Sequence, residues 1–443
     1  MVYIHIPYCR SFCTYCGFYS IIPSCGYGAL TDALCAEIEA REVEIRSSVF
    51  LPSGSRKCKG GINTLYIGGG TPSVLPADQI ARLASACFRA VYGTESGMSV
   101  NGGAFDEFTV EVNPDDIVRG GARYAESLLG TGVTRVSMGV QSMDDRVLKW
   151  MNRRHDAAAA RKAYRILREA GADNIGIDLI FGYDIGRIIP SAAISDTDSD
   201  RYWMCMLEAA LDIGGDGSLP EHISAYQLSV EEGSALARMI EAGRYAEAQE
   251  DLCAAQYSRL CSVLAAAGYH HYEISNFARS GFEAIHNSAY WRHTPYVGIG
   301  PAAHSLSRRP GNIQPAGPVA GQDMGSKEMT DWVRSWNAED VDAYIAASLS
   351  GDWGSVRGAE TLTREQVREE EIMLGLRTDR GVPSSLIMTS GASAQKVESL
   401  LAAGALVRTG GDQTGRTDFE KEPYLRIPED RFFVSDDIIA ELI

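Results

Sequence analysis

The chain has 443 residues, 45% of them hydrophobic, enough for one large domain with a continuous core and a smaller one beside it. A formal charge of −17 repels phosphate backbones, so nucleic acid is not an expected partner, while a local basic or apolar face leaves peripheral membrane contact open. Ten mostly isolated cysteines argue against a secreted disulfide framework and for a reducing, cytoplasmic setting, and neither a signal peptide nor a spanning helix is visible.

The first predicted strand, VYIHIP at 2–7, runs straight into YCRSFCTYC, so Cys9, Cys13 and Cys16 crowd together near the N-terminus. A helical pattern follows in LTDALCAEIEARE from Leu30, then the strand TLYIGGG at 64–70 and the helix QIARLASACFRAVY from Gln79. Strands are predicted again at FTVEVNP (108–114) and RVSMGVQ (135–141), a helix at DAAAARKAYRILREAG from Asp156, and strands at NIGIDLIFG (174–182) and HISAYQLS (222–229). Gly- and Ser-rich stretches around 54–61 and 94–106 read as surface insertions.

Strand followed by helix, repeated, means parallel strands with right-handed crossovers. Six units fall short of the eightfold barrel. The expected fold class is therefore α/β, a partial, laterally open (β/α)6 barrel, with a doubly wound sheet as the alternative. A further strand is expected at YHHYEISNFA (269–278), ahead of the segment ending GIGPAAHSL at 306. The Pro- and Gly-rich stretch at 307–330 reads as a linker or surface loop. Beyond it, helical patterns in LTREQVREEEIMLGL and SAQKVESLLAAG precede the strand-like YLRIP and RFFVS, which predicts a smaller helical, winged-helix-like C-terminal domain. The expected organisation is a core at 1–306, the linker at 307–330 and the C-terminal domain at 331–443.

Three closely spaced thiols suit neither a lone disulfide nor a paired-CxxC zinc site. A four-iron cluster normally takes four thiolates, so three on one loop hold three irons and leave a corner open for an outside ligand. On the residues alone, zinc with His5 or Cys25 as fourth ligand, or three unrelated buried thiols, remain alternatives. The IGGGTPS run at 67–73 lets a ligand approach the backbone closely, although most glycine runs are simply turns. In HNSAYW at 286–291, a neutral imidazole can ligate heme iron beside flat aromatic faces, but a structural histidine is the commoner use.

The CxxxCxxC spacing, with Tyr15 inside it, resembles the radical S-adenosylmethionine (SAM) superfamily. With IGGGTPS it resembles one subgroup, the oxygen-independent coproporphyrinogen oxidases and the related HemW-like heme chaperones. The likeness continues in order through EVNP (111–114), GVQS (139–142), NRRH (152–155), IDLIFG (177–182), YEISNFA (272–278) and HNSAYW. It implies that Cys9, Cys13 and Cys16 hold a 4Fe–4S cluster and that Tyr3, Gly69, Gly70, Thr71, Glu111, Gln141, Arg153 and Asp178 line the SAM pocket. Acidic and amide groups there suit ribose hydroxyls and an amine, and Arg153 a carboxylate. Phe18 stands where the oxidases carry a further cysteine, and only eight residues precede Cys9, which favours the HemW-like side.

In such relatives the HNxxYW motif is associated with heme, which implies heme contact at His286, Asn287, Tyr290 and Trp291. The function implied is a heme chaperone that binds heme, the cluster and SAM and delivers heme to acceptor hemoproteins such as respiratory enzymes. No catalytic residue is assigned. The runner-up is an oxygen-independent coproporphyrinogen III oxidase, and a third reading is a passive electron-transfer protein. Two departures stand out: YDIGRIIPSAAISDTDSD from Tyr183 replaces the usual glycine-rich turn, and Asn152 sits where relatives often have glycine. His5 and His155 could touch cofactor but are expected to pack or hydrogen-bond, and His304 is a candidate to face the pocket.

Overall fold

Six apolar runs become the strands they predict: β1 Val2–Ile6, β2 Thr64–Gly69, β3 Glu107–Val112, β4 Arg135–Gln141, β5 Ile175–Phe181 and β6 His222–Gln227. Most residues of these runs are buried, the condition that makes parallel strands read as unbroken apolar stretches rather than alternating ones. The computed structural model describes residues 1–23, 26–49, 62–93, 105–189, 196–308, 329–389, 394–410 and 423–443. Cys25, Cys58, the insertions at 54–61 and 94–104, most of the 307–330 linker and part of the loop after Tyr183 lie outside the described residues.

Strands β1 to β6 lie side by side in chain order and all parallel. Helices such as Ala77–Tyr92, Pro114–Leu129 and Ala157–Glu169 make the crossovers. Consecutive order without a reversal is that of a partial barrel, and the doubly wound alternative does not apply. The expected single strand at 269–278 is instead a tight hairpin, β7 His270–Glu273 and β8 Asn276–Ala278, pairing antiparallel with β6. The Glu273 carboxylate turns the chain there by accepting from Ser275 N at 3.2 Å. On the other margin β9, Val297–Ile299, runs parallel to β1.

The region from 330, expected to be helical, opens with strands. β10 His304–Arg308, β11 Met329–Asn337 and β12 Arg357–Thr363 form an antiparallel sheet. Cross-strand partners satisfy the backbone here, which a composition reading cannot foresee. Helix Arg364–Leu376 follows, started by a reciprocal cap between Thr363 and Gln366. A second small sheet, ordered β13 Val382–Pro383, β15 Tyr424–Arg426, β14 Val407–Thr409, packs against helix Arg364–Leu376, and helix Ala394–Ala402 precedes β14 in the chain, the winged-helix-like arrangement expected. RFFVS is not a strand: its first four residues lie in a 3-10 turn, Glu429–Val434, with Phe432 driven into the core, and Ser435 begins helix Ser435–Ala440.

One buried carboxylate joins barrel and C-terminal region. Glu37, 0% exposed, accepts from Gly300 N at 2.8 Å, Asn337 Nδ2 at 3.0 Å, Tyr344 Oη at 2.6 Å and Arg357 Nη2 at 2.8 Å, with Arg41 at 3.3 Å. Among the described residues no helix is long and apolar enough to cross a membrane.

Candidate functional site

β1 delivers the chain to the end of the barrel where α/β folds place their ligands, and the cysteine loop begins there. The loop is tied at several points. Cys9 N donates to Ile21 O at 2.9 Å, Thr14 N to Met151 O at 3.1 Å, and Leu236 N to Thr14 O at 2.7 Å. Arg10 pairs with Asp116 at 3.1 Å, and Asp116, 2% exposed, also holds Arg154 at 2.9 Å and Ser73 at 3.0 Å. Asn152 Nδ2 donates to Phe12 O at 2.7 Å from a backbone at φ +56°. Asparagine tolerates that left-handed conformation better than other non-glycine residues, which explains why it can stand in a glycine's place.

A cavity of about 580 Å³ opens over this loop, and all three cysteines line it as free thiols. Seven of the eight residues expected around SAM line the same cavity: Gly69, Gly70, Thr71, Glu111, Gln141, Arg153 and Asp178. They arrive from the ends of β2, β3, β4 and β5 and from the turn after helix Asp145–Trp150. Cys9 Sγ lies 3.4 Å from Thr71 Oγ1, and Arg153 donates to Cys13 Sγ at 3.3 Å and to Gly139 O at 2.6 Å. Gly70 packs so tightly that a Cβ there would lie 2.9 Å from Tyr8 O and 3.1 Å from Cys9 Sγ. Gln141, at φ +66°, holds a left-handed backbone that a non-glycine residue keeps only when its surroundings enforce it.

Burial governs the electrostatics. It pushes the Glu111 carboxyl up to about 7, although Tyr66 Oη at 2.7 Å and Gly69 N at 3.1 Å both donate to it. Asp178 is raised by the same cause, against hydrogen bonds from Ser224 and Ser137. The Cys9 and Cys16 thiols are pushed up by burial, with the neighbouring thiols adding to it. Arg153 keeps a buried Nε with no protein partner. A bound group that accepts from Arg153 and takes the thiols as ligands would relieve these costs.

Tyr3 stands apart from the other seven. Its hydroxyl sits 2.9 Å from His5 Nδ1 and its ring 6.0 Å from that of Tyr66, whose own ring lines the cavity. The HNSAYW segment, part of the short helix Ile285–Tyr290, presents its residues in different directions. Asn287 lines the cysteine cavity, and Trp291 lines a second cavity elsewhere. His286 is 0% exposed, with Nδ1 2.7 Å from Thr64 Oγ1 and Nε2 3.1 Å from Tyr290 Oη, and burial lowers its pKa to about 3. Tyr290 is thereby engaged with His286.

His5 and His155 make backbone hydrogen bonds to Tyr19 O and Val140 O, and His304 stacks on Trp336. Residues that motif reading passed over also line the cysteine cavity, among them Tyr66, Ser137, Ser224, Tyr226 and Glu231. Their one signal is a polar side chain interrupting an apolar strand or following its end.

Residues 3–189 match the Radical SAM superfamily. The chain is 30% identical over 410 residues to a heme chaperone HemW of Mycobacterium tuberculosis, covering 91% of this chain and 88% of that one. It is also 30% identical over 381 residues to the heme chaperone HemW of Bacillus subtilis, covering 86% and 84%. A mitochondrial radical S-adenosyl methionine domain-containing protein 1 of Mus musculus is 30% identical over 415 residues, covering 92% and 81%. The structure of the Escherichia coli coproporphyrinogen III oxidase HemN superposes with a TM-score of 0.69 at 18% identity, over 100% of this chain and 89% of that one, which establishes a shared fold. The chain belongs to the HemW-like family of the radical SAM superfamily. That membership implies a 4Fe–4S cluster and SAM.

Proposed function

We propose that the chain is a heme chaperone that holds a 4Fe–4S cluster and SAM in the cysteine cavity, binds heme and delivers it to acceptor hemoproteins such as respiratory enzymes. The observation that carries the cofactor part is the meeting, in one cavity, of Cys9, Cys13 and Cys16 with the strand-end residues Gly69, Glu111, Gln141, Arg153 and Asp178. The donor set fits: three soft thiols suit iron–sulfur ligation, and a fourth iron is left for an amino-acid ligand. When bound, such a cluster supplies one electron for cleavage of the SAM sulfonium.

The chain's own residues bind and orient. Arg153 donates to Cys13 Sγ at 3.3 Å and so places positive charge beside the thiol loop. The backbone at Gly69–Thr71 offers close approach to an amino-acid moiety, and Glu111 and Asp178 offer carboxyl groups for hydroxyls and an amine. Phe18, 71% exposed, lines the cavity at the position where the oxidases carry a further thiol, and among the described residues the lining holds only the three thiols of Cys9, Cys13 and Cys16. The heme part of the reading is supported by the names of the relatives.

Anaerobic reconstitution tests it. Four irons and four sulfides per chain are expected, with a reduced-cluster EPR signal that shifts on adding SAM, stoichiometric heme binding, and coproporphyrinogen III unchanged in the presence of reductant. Conversion of coproporphyrinogen III would replace the chaperone with the oxidase reading. A cluster indifferent to SAM would overturn the cofactor assignment.

A further inference from the structure

Gly70 is small because the cysteine loop presses on it, but Gly68, two residues earlier, is small for a different reason. A Cβ on Gly68 would lie 2.7 Å from Cε1 of Tyr66 and 2.8 Å from Oε1 of Glu111. The missing side chain therefore clears room for a contact between those two residues. That contact is a hydrogen bond: Tyr66 Oη donates to Glu111 Oε1 at 2.7 Å, while Gly69 N donates to Oε2 at 3.1 Å. An ionised carboxylate oxygen has two lone pairs, so one on each oxygen remains for a ligand in the cavity that Tyr66 and Glu111 both line.

Tyr66 is itself held in place. Side chains alternate along a strand, so Thr64, Tyr66 and Gly68 share one face of β2, as Glu107, Thr109 and Glu111 share one face of β3 beside it. At the start of these faces Glu107 accepts from Ile285 N at 2.8 Å and from His286 N at 3.1 Å, and Thr64 Oγ1 lies 2.7 Å from His286 Nδ1. The imidazole fixed there stands 5.1 Å from the Tyr66 ring, and the Tyr3 ring stands 6.0 Å from it. The phenol is thus packed among rings that are themselves tied down, and its hydroxyl is spent on Glu111.

We infer that Tyr66 is a positioning residue for SAM: its hydroxyl orients the Glu111 carboxyl toward a hydroxyl or amine of the bound cofactor, and it acts through Glu111 rather than by a contact of its own. The inference rests on the cofactor part of the proposed function and adds to it a residue that the motifs leave out. Besides the Gly69 amide, three groups face Glu111. Tyr66 from β2 and Arg135 from β4 favour its ionised form, and Asp178 from β5 opposes it. Burial already holds this carboxyl at about 7, so removing the Tyr66 hydroxyl leaves it protonated to higher pH still.

The test is equilibrium binding of SAM to the anaerobically reconstituted full-length chain, followed by retention of labelled SAM across neutral pH. Tyr66→Phe keeps the ring and is expected to hold iron and sulfide as wild type does, to weaken SAM binding by about tenfold at neutral pH, and to move the pH midpoint of binding upward. Gly68→Ala, whose added methyl displaces one of the pair, is expected to reproduce both effects. In a Glu111→Ala background, Tyr66→Phe is expected to change the affinity by less than about twofold, because the partner through which it acts is gone. Wild type that holds its cluster yet binds no SAM overturns the cofactor reading together with this inference. Tyr66→Phe with wild-type affinity overturns the inference alone. A tenfold loss that persists in the Glu111→Ala background, or one with an unmoved pH midpoint, overturns the positioning role in favour of direct contact. Should Glu111→Ala bind too little SAM to measure, the pH midpoint decides.

Discussion

Gly70 shows how little room a single residue can have beside a ligand loop. A methyl group there would press on Tyr8 O, Ile6 O and Cys9 Sγ at once, and two of these are backbone atoms that cannot swing aside. Gly70→Ala is therefore expected to displace Cys9 and lower the iron and sulfide retained after reconstitution by at least about half, with far-ultraviolet circular dichroism unchanged, since overpacking costs on the order of 1–3 kcal/mol locally without abolishing a fold. Full iron content in that variant would show that the loop yields more easily than its contacts imply. The cysteines and the glycine run were legible in the sequence because their meaning is local, carried by spacing and by a missing side chain. Ser137, Ser224 and Tyr226 were not, because a lone polar residue in an apolar strand acquires a partner only when neighbouring strands bring one, as β4 and β5 bring Ser137 to Asp178 at 3.3 Å.

Elements meet at Glu37, on helix Gly28–Ala40. Its carboxylate gathers donors from the end of β9, from β11, from helix Val341–Ser350 and from the start of β12. Without it Gly300 N and Tyr344 Oη would lose their acceptor in a buried setting, while Asn337 would keep only Gly300 O and Arg357 only Asn337 Oδ1. Glu37→Ala is expected to destabilise the chain by about 3–5 kcal/mol, the cost of leaving buried cations and donors unpaired, and Glu37→Gln by less, since the amide oxygen still accepts. Urea unfolding measures both, and an unaltered midpoint in Glu37→Ala would mean that water replaces the carboxylate. At this scale the parallel strands were legible from their apolar runs, while β11 and β12 were not. Both have side chains neither apolar enough nor regular enough to announce a strand, and their pairing with each other is the larger part of their stability.

The whole molecule has a pH response set by burial. His155, His222, His271 and His286 are all held below their ordinary value, to about 3, well below, about 4 and about 3 respectively, so below pH 6.5 the unfolded chain binds more protons than the folded one and stability falls as pH drops. Glu111 and Glu273 are raised to about 7 and about 8, so the folded chain binds the extra proton above 4.5 and stability falls as pH climbs toward those values. His270, raised by Asp379, opposes the other histidines, but its side chain is half exposed and counts for less. His5 and the N-terminal amine are held down by burial as well and Asp178 is held up, so the groups that lose stability on acidification outnumber those that lose it on alkalinisation, and stability falls below pH 6.5. Urea midpoints of the cluster-free chain between pH 8 and 4.5 check this, and a midpoint that rises from pH 6.5 to 5 would contradict it.

By itself the sequence determined the α/β class, the six parallel strands and the triplet of thiols, because hydrophobic periodicity and ligand spacing are properties of short stretches that hold wherever the stretch ends up. Only the tertiary structure decided that the six strands stand in consecutive order rather than doubly wound, that Tyr3 lies off the cavity lining, and that HNSAYW splits its residues among the core and two cavities. Those outcomes depend on which faces of distant segments meet, and that is settled by packing across the whole fold rather than along the chain.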